Sequence, residues 1–288
     1  MPKTIIDFIK TNWIYIYISV IYFIFTWVIF GMSLLAFIVL VNIYVCSIAI
    51  ALSPVGEIIF RFINNVRRLE TKKEKQYLLP IYEEVYREAR EHYPTMNEDI
   101  ELCTIDTMVI NGVSIGKRTI AVTKGAINTL SVEEMKGLIA HELGHIALGH
   151  TKILLLVTLG NGIFTLFALI LRILVYGAEF LSNCFRNIFV SCLMVLTRII
   201  TDICVFICFF VIDMILAVNS RANEYKADEF TYTTGYGQNM INFLYIIHDI
   251  TIVNTPKITE KLKASHPDVP QRIGILEKLI DCTAKSDD

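Results

Sequence analysis

From residue 12 to residue 52 the chain carries no charged side chain, and apolar residues fill most of the run NWIYIYISV…VCSIAIAL. About forty helical residues at about 1.5 Å each reach roughly 60 Å, about twice the hydrocarbon thickness of a bilayer, so the run must fold back. Gly31-Met32-Ser33 is the one place in it suited to a turn, which predicts two spans joined by a tight reversal. Two further apolar stretches follow. One covers 153–176 and is interrupted by Asn161 and Arg172; the other covers 188–219 and holds Arg198, Asp202 and Asp213. Arg198 and Asp202 are four apart, so on a helix they share a face and can pair.

The intervening segments are polar and differently patterned. Residues 71–93, TKKEKQYLLPIYEEVYREAREHY, predict a helix with one charged face, broken by Pro80 and ended by Pro94. Residues 100–122 are rich in β-branched side chains and punctuated by Asn111-Gly112 and Gly116, which predicts two or three strands with turns. Ser131, with Glu134 three residues on, forms a capping box. It opens a helix that runs through Leu138 and Ile139 into HELGHIALGH at 141–150.

Composition strengthens the membrane reading. Of 288 residues 54% are hydrophobic, and the mean hydropathy is +0.54, a load that soluble domains of this length do not usually carry. A net charge of -2, with no basic block interleaved with aromatics, gives no case for a nucleic-acid partner. The seven cysteines form no CxxC pair and mostly lie in apolar runs, which argues against a disulfide framework or a cysteine metal site. The first apolar region is too long for a signal peptide and lacks a small-residue cleavage site. Lys3 and Lys10 precede it, and Arg61, Arg67, Arg68 and Lys72 follow its second half. The turn at 31–33 has no charge, and the loop near 177–187 offers only Arg186 against Glu179. Basic residues favour the cytoplasmic side, so both termini and the segments 53–152 and 220–288 are expected there.

The chemistry lies in HELGHIALGH. His141 and His145 are four apart, so on a helix both imidazoles point the same way and can hold one ion. Glu142, next to the first of them, is placed to act as general base on a water at the open coordination position. His150 is nine residues from His141, which turns it to the opposite face of a continuous helix. It also misses the HExxHxxGxxH spacing, whose third histidine would stand where Thr151 does, and so reads as a polar residue at the membrane boundary. A third ligand must come from downstream. Two spans return the chain to the same face at SRANEYKADEF, so topology selects Glu224 over Glu179, which lies in the predicted outer loop. Asp228, one turn beyond Glu224, can accept a hydrogen bond from a ligand histidine. Two histidines and a carboxylate make zinc the expected metal, one per subunit, in a ligand set that other divalent ions also tolerate.

With these motifs in order, the sequence resembles the HtpX-like membrane zinc metallopeptidases. The likeness rests on the N-terminal apolar pair, INGVSIGKRTIAVTKGAI, LSVEEMKGLIAHELGHI, two further spans, SRANEYKAD and SHPDVPQRI. It implies zinc on His141, His145 and Glu224, with Glu142 as catalytic base. It also implies that the strand around Asn111–Ser114 borders the cleft and that His266 helps bind substrate or stabilise the oxyanion. Family members often have Asn-Ala-Phe-Ala at that strand; here Asn111 matches and Gly112-Val113-Ser114 differ. The expected fold is a mainly α membrane protein with about four transmembrane helices and a small α+β metallopeptidase domain. Residues 1–52 and 153–219 each form two spans, and 53–152 and 220–288 form the cytoplasmic catalytic part. The expected function is a zinc-dependent endopeptidase acting on proteins at the cytoplasmic membrane face, in quality control of membrane proteins, with substrate proteins and the bilayer as partners. The rivals are a CAAX-type processing peptidase, whose family has more spans, and a non-catalytic metal-stabilised membrane scaffold.

Overall fold

The computed structural model describes residues 34–96, 99–151, 162–184, 188–252 and 268–284, with the single positions 17, 20, 23, 24 and 155. The expected turn at 31–33, most of the first span and His266 lie outside the described residues. Asp213 lies in a described helix whose side chains there are not described.

Helix α1 (Leu34–Leu52) is uncharged and largely apolar. It stops at Ser53, whose hydroxyl accepts from the Val55 N–H and caps α2 (Pro54–Ile63), with Pro54 at the first helical position where no donor is needed. Among the described residues no single helix is long and apolar enough to cross a membrane. Phe37–Leu52 and Pro54–Ile63 meet that requirement only as a pair, bent by 76°. Next come β1 (Val66–Arg68) and α3 (Lys72–His92). Thr71 and Glu74 form a capping box at the start of α3, and the helix ends at Tyr93, just before Pro94. Pro80 does not break it. The proline removes one donor, but Leu78, Ile81, Tyr82, Val85 and Ala89 lie buried along one face and hold both halves against the core.

A four-stranded sheet follows the order β1-β2-β4-β3, with β2 (Glu101–Ile105), β3 (Gly112–Ile115) and β4 (Thr119–Thr123). β2 and β4 run parallel, and the other two pairings are antiparallel. The turn at Gly116, with φ 60, joins β3 to β4 as expected. Asn111 makes no turn with Gly112; Thr123 ties its backbone at both ends, its hydroxyl accepting from Asn111 N–H and donating to Asn111 C=O. β1, three residues with two arginines, was not expected. It pairs with β2, and Arg68 reaches Glu101 at 2.6 Å.

After the short α4 (Lys124–Thr129), the Ser131–Glu134 capping box opens α5 (Val132–Ala147) in both directions: Ser131 N–H to Glu134 Oε2 at 2.7 Å and Glu134 N–H to Ser131 Oγ at 3.4 Å. α5 is the centre of the protein. Met135, Leu138, Ile139 and Leu143 are fully buried in one core shared with α3, the sheet, α8 (Gly237–Ile252) and α9 (Val269–Ala284). Removing any one to alanine would cost about 2–5 kcal/mol.

Between α5 and α8 lie α6 (Gly162–Cys184) and α7 (Ile188–Thr233). Helix α6 extends to Cys184, into the loop expected near 177–187, and Glu179 is part of the helix. The expected Arg198–Asp202 pair along one helix is replaced by pairs between helices. Arg198 meets Glu179 at 2.8 Å, and Asp202 meets Arg172 at 3.1 Å and accepts from Tyr176. α7 continues without a break for 46 residues, from the apolar stretch into SRANEYKADEF. The described protein is thus mostly helical around one small sheet.

Candidate metal centre

Four elements build the site. α5 carries His141 and His145 on one face, rings 4.7 Å apart and nearly perpendicular, with their Nε2 atoms 3.1 Å apart. α7 crosses α5 and brings in Glu224, whose two oxygens lie 3.4 Å from His141 Nε2 and 3.3 Å from His145 Nε2. The three donor groups fall within 4.8 Å of one another. Around a tetrahedral zinc with bonds of about 2.0–2.1 Å, donor atoms stand about 3.3–3.4 Å apart, so the spacing fits such an ion.

Charge points the same way. Glu142, Glu224 and Asp228 are 6, 3 and 1% exposed, and one buried cation, Arg272 at 5%, faces them. Arg272 grips Asp228 through Nε (2.8 Å) and Nη2 (2.7 Å) and reaches Glu224 through Nη1 at 3.1 Å. With the histidines neutral, as metal ligation requires, three buried carboxylates against one guanidinium leave two negative charges, the charge a divalent ion would supply. Burial works against the Arg272 charge and against ionised Asp228, yet their mutual contact outweighs it, raising the one pKa and lowering the other.

The second nitrogen of each histidine also faces a polar neighbour. His141 Nδ1 stands 3.0 Å from Asp228 Oδ1. Burial disfavours a charged His141, but Asp228 and Glu224 overcome it and hold the pKa up at about 9. His145 Nδ1 stands 3.1 Å from His150 Nδ1. His150 is therefore not on the opposite face. α5 ends at Ala147, and Gly149 adopts φ 77, a conformation that favours glycine, so the chain turns back and lays His150 on His145. Burial first, then the charges of His145 and Lys226, push His150 down to about 3 and keep it neutral. A metal that took the Nε2 lone pair of His145 would leave the proton on Nδ1, from where it can be donated to His150 Nδ1.

Glu142 follows His141 and is packed under the sheet edge. A Cβ on Gly112 would stand 2.8 Å from Glu142 Cγ and 3.0 Å from Leu138 Cδ1, so only glycine lets β3 come this close. β3 is the outer strand, and exposed Asn111 stands at its start. The structure thus brings together His141, His145, Glu224, Asp228 and Glu142, places Asn111 at the head of the neighbouring strand, and leaves His266 outside the described residues. Sequence reasoning missed Arg272 and misplaced His150. No local signal in the sequence marks Arg272; for His150 the signal was Gly149, a helix stop directly before the histidine.

The sequence profile of peptidase family M48 matches residues 84–280. Among solved structures, the crystal structure of S. mikatae Ste24p is similar, with a TM-score of 0.51 at 18% identity, covering 90% of this chain and 61% of that one. This chain thus spans about three fifths of the length of that protein, and at this identity the likeness concerns the fold. Comparison with curated protein sequences gives no match.

Proposed function

The chain belongs to peptidase family M48, and we propose that it is an integral-membrane zinc endopeptidase that cuts proteins at the cytoplasmic membrane face. Its expected work is quality control of membrane proteins. The observation that carries this reading is the convergence of His141 Nε2, His145 Nε2 and the Glu224 carboxylate on one point beside Glu142. In it, His141, His145 and Glu224 hold the zinc, Asp228 orients His141, and Glu142 is the base. Bound zinc supplies Lewis acidity toward the scissile carbonyl and the attacking water. Glu142, held under Gly112, takes the proton of that water. β3, an outer strand that begins just after Asn111, can pair with an extended peptide and lay its backbone along the cleft. His266 is assigned to substrate or oxyanion binding through the family likeness. The apolar runs at 12–52, 153–176 and 188–219 support the membrane part.

The test is a time course of zinc addition to full-length protein purified in detergent under chelator, wild type beside Glu142→Gln. The expected result is self-cleavage and casein digestion by wild type, with a variant that binds zinc equally well and cuts neither. If both proteins bind zinc and neither cuts, general endopeptidase activity is ruled out, and a narrow processing enzyme or a metal-stabilised scaffold takes its place.

A further inference from the structure

Val55, Ile58, Ile59, Phe62 and Ile63 fall on one side of α2, at i, i+3, i+4, i+7 and i+8. They are 54, 63, 37, 84 and 61% exposed, a continuous apolar stripe on a helix of 10 residues. The other side of α2 is fastened to the sheet. The Glu57 carboxylate accepts from the N–H groups of Lys117 and Arg118 at 3.3 and 3.2 Å and from the Thr119 hydroxyl at 2.6 Å. Arg61 reaches Glu101 at 2.8 Å and Cys103 Sγ at 3.1 Å. These contacts fix the roll of α2, so its stripe points away from the catalytic part.

Three observations identify what covers the stripe. α1, which leads into α2 across the single residue Ser53, also exposes large apolar side chains, among them Leu35, Phe37, Val39, Val45 and Ile48. One medium therefore meets both helices. The 76° bend leaves α2 within about 14° of the plane perpendicular to α1, so a helix beside α1 in the bilayer cannot be α2's course. Ten residues also reach only about 15 Å, half a hydrocarbon core. Lastly, Lys117 and Arg118 stand exposed at the hairpin turn that Glu57 holds beside α2, two cations that could meet anionic headgroups.

We infer that α2 is an in-plane membrane-interface helix, its Val55–Ile63 stripe seated among the lipids of the surface that α1 enters, with Lys117 and Arg118 over the headgroups. Through Glu57 it sets the height of the β3–β4 hairpin, and so of the cleft edge, above the bilayer. This inference rests on the membrane reading proposed above and goes beyond it, because it assigns α2 to the surface and not to a span.

The test uses full-length protein in phosphatidylcholine–phosphatidylglycerol vesicles, with the two native tryptophans, Trp13 and Trp27, replaced by phenylalanine. Single tryptophans are then introduced by Ile58→Trp and Phe62→Trp on α2 and by Ile43→Trp in the middle of α1. Fluorescence is quenched by lipids brominated either near the headgroup or near the bilayer centre. The expected result is equal, shallow quenching at 58 and 62, at a depth of about 5–10 Å into the headgroup boundary, and deep quenching at 43. Progressively deeper quenching from 58 to 62 would make α2 a crossing segment and overturn the inference. Loss of quenching at 58 and 62 with deep quenching kept at 43 would overturn it too, leaving the membrane reading intact; a blue-shifted but unquenched pair would hand the stripe to a second copy. No quenching at 43 would sink the membrane reading itself. Should Phe62→Trp fail to fold, Ile63→Trp reports from the same face.

Discussion

Replacing Arg272 by methionine keeps much of its volume but leaves Asp228 and Glu224 buried without their shared cation. Breaking a buried ion pair from one side costs about 3–5 kcal/mol, so thermal unfolding of Arg272→Met in detergent should fall by that order. Arg272→Lys should recover only part, since a single ammonium cannot reproduce the two-point grip on Asp228 together with the reach to Glu224. His150 acts at the opposite ring. Loss of the partner that fixes His145 should weaken zinc binding about 10–100-fold in His150→Ala, measured by competition with a chromophoric chelator, and His150→Gln should restore most of it. Not all of this was legible in the sequence. The spacing of His141 and His145 and the return of the chain at Glu224 and Asp228 could be read directly. The position of His150 could not, because counting at 100° per residue presumes a helix that passes through Gly149, and it does not. Arg272 stood in view within SHPDVPQRI, but its burial depends on contacts with Asp228 and Glu224 of α7 that no local pattern encodes.

The elements show a similar division. Capping at Ser131 and the strand composition after residue 100 are local matters, and both could be read in advance. Pro80 misled because a proline argues for a break only until the helix faces of Leu78 and Val85 find their tertiary partners. β1 has three residues, two of them arginine, and so displays no alternation to detect. Packing between β3 and α5 makes a sharper claim. Gly112→Ala should drive the new methyl group against Glu142 Cγ and displace Glu142, the proposed base, while leaving the proposed metal donors in place. A displacement of about 1 Å at a reacting group can cost about 100-fold, so kcat on casein should drop on the order of 10- to 100-fold, with zinc affinity unchanged. Equal losses in both would mean that the strand supports the metal donors and not the base.

At the scale of the whole molecule, a metal held by His141, His145 and Glu224 would join α5 to α7 and balance the buried carboxylates, so its removal should loosen the fold. Chelation is expected to lower the thermal midpoint in detergent. In the metal-free protein the raised His141 pKa makes its proton a stabilising one. That contribution is fully present below about 6.5 and is lost as pH rises through about 9. The gap in midpoint between zinc-loaded and chelated protein should therefore widen from pH 6.5 to 9; a gap that narrows would assign the proton elsewhere.

α7 runs 46 residues without interruption, about 69 Å, from Ile188 to Thr233. Its upper part is locked to α6 by Arg172–Asp202 and Arg198–Glu179, and its lower part carries Glu224. A ligand on a loop would tolerate an extra residue upstream. Here a single inserted residue between Asp202 and Glu224 would swing the carboxylate through about 100° and lift it about 1.5 Å. Adding whole turns restores the azimuth only roughly and lifts the carboxylate by about 5.4 Å each time. The helix is in effect a ruler with one permitted reading, so insertions and deletions along it should be far less tolerated than substitutions.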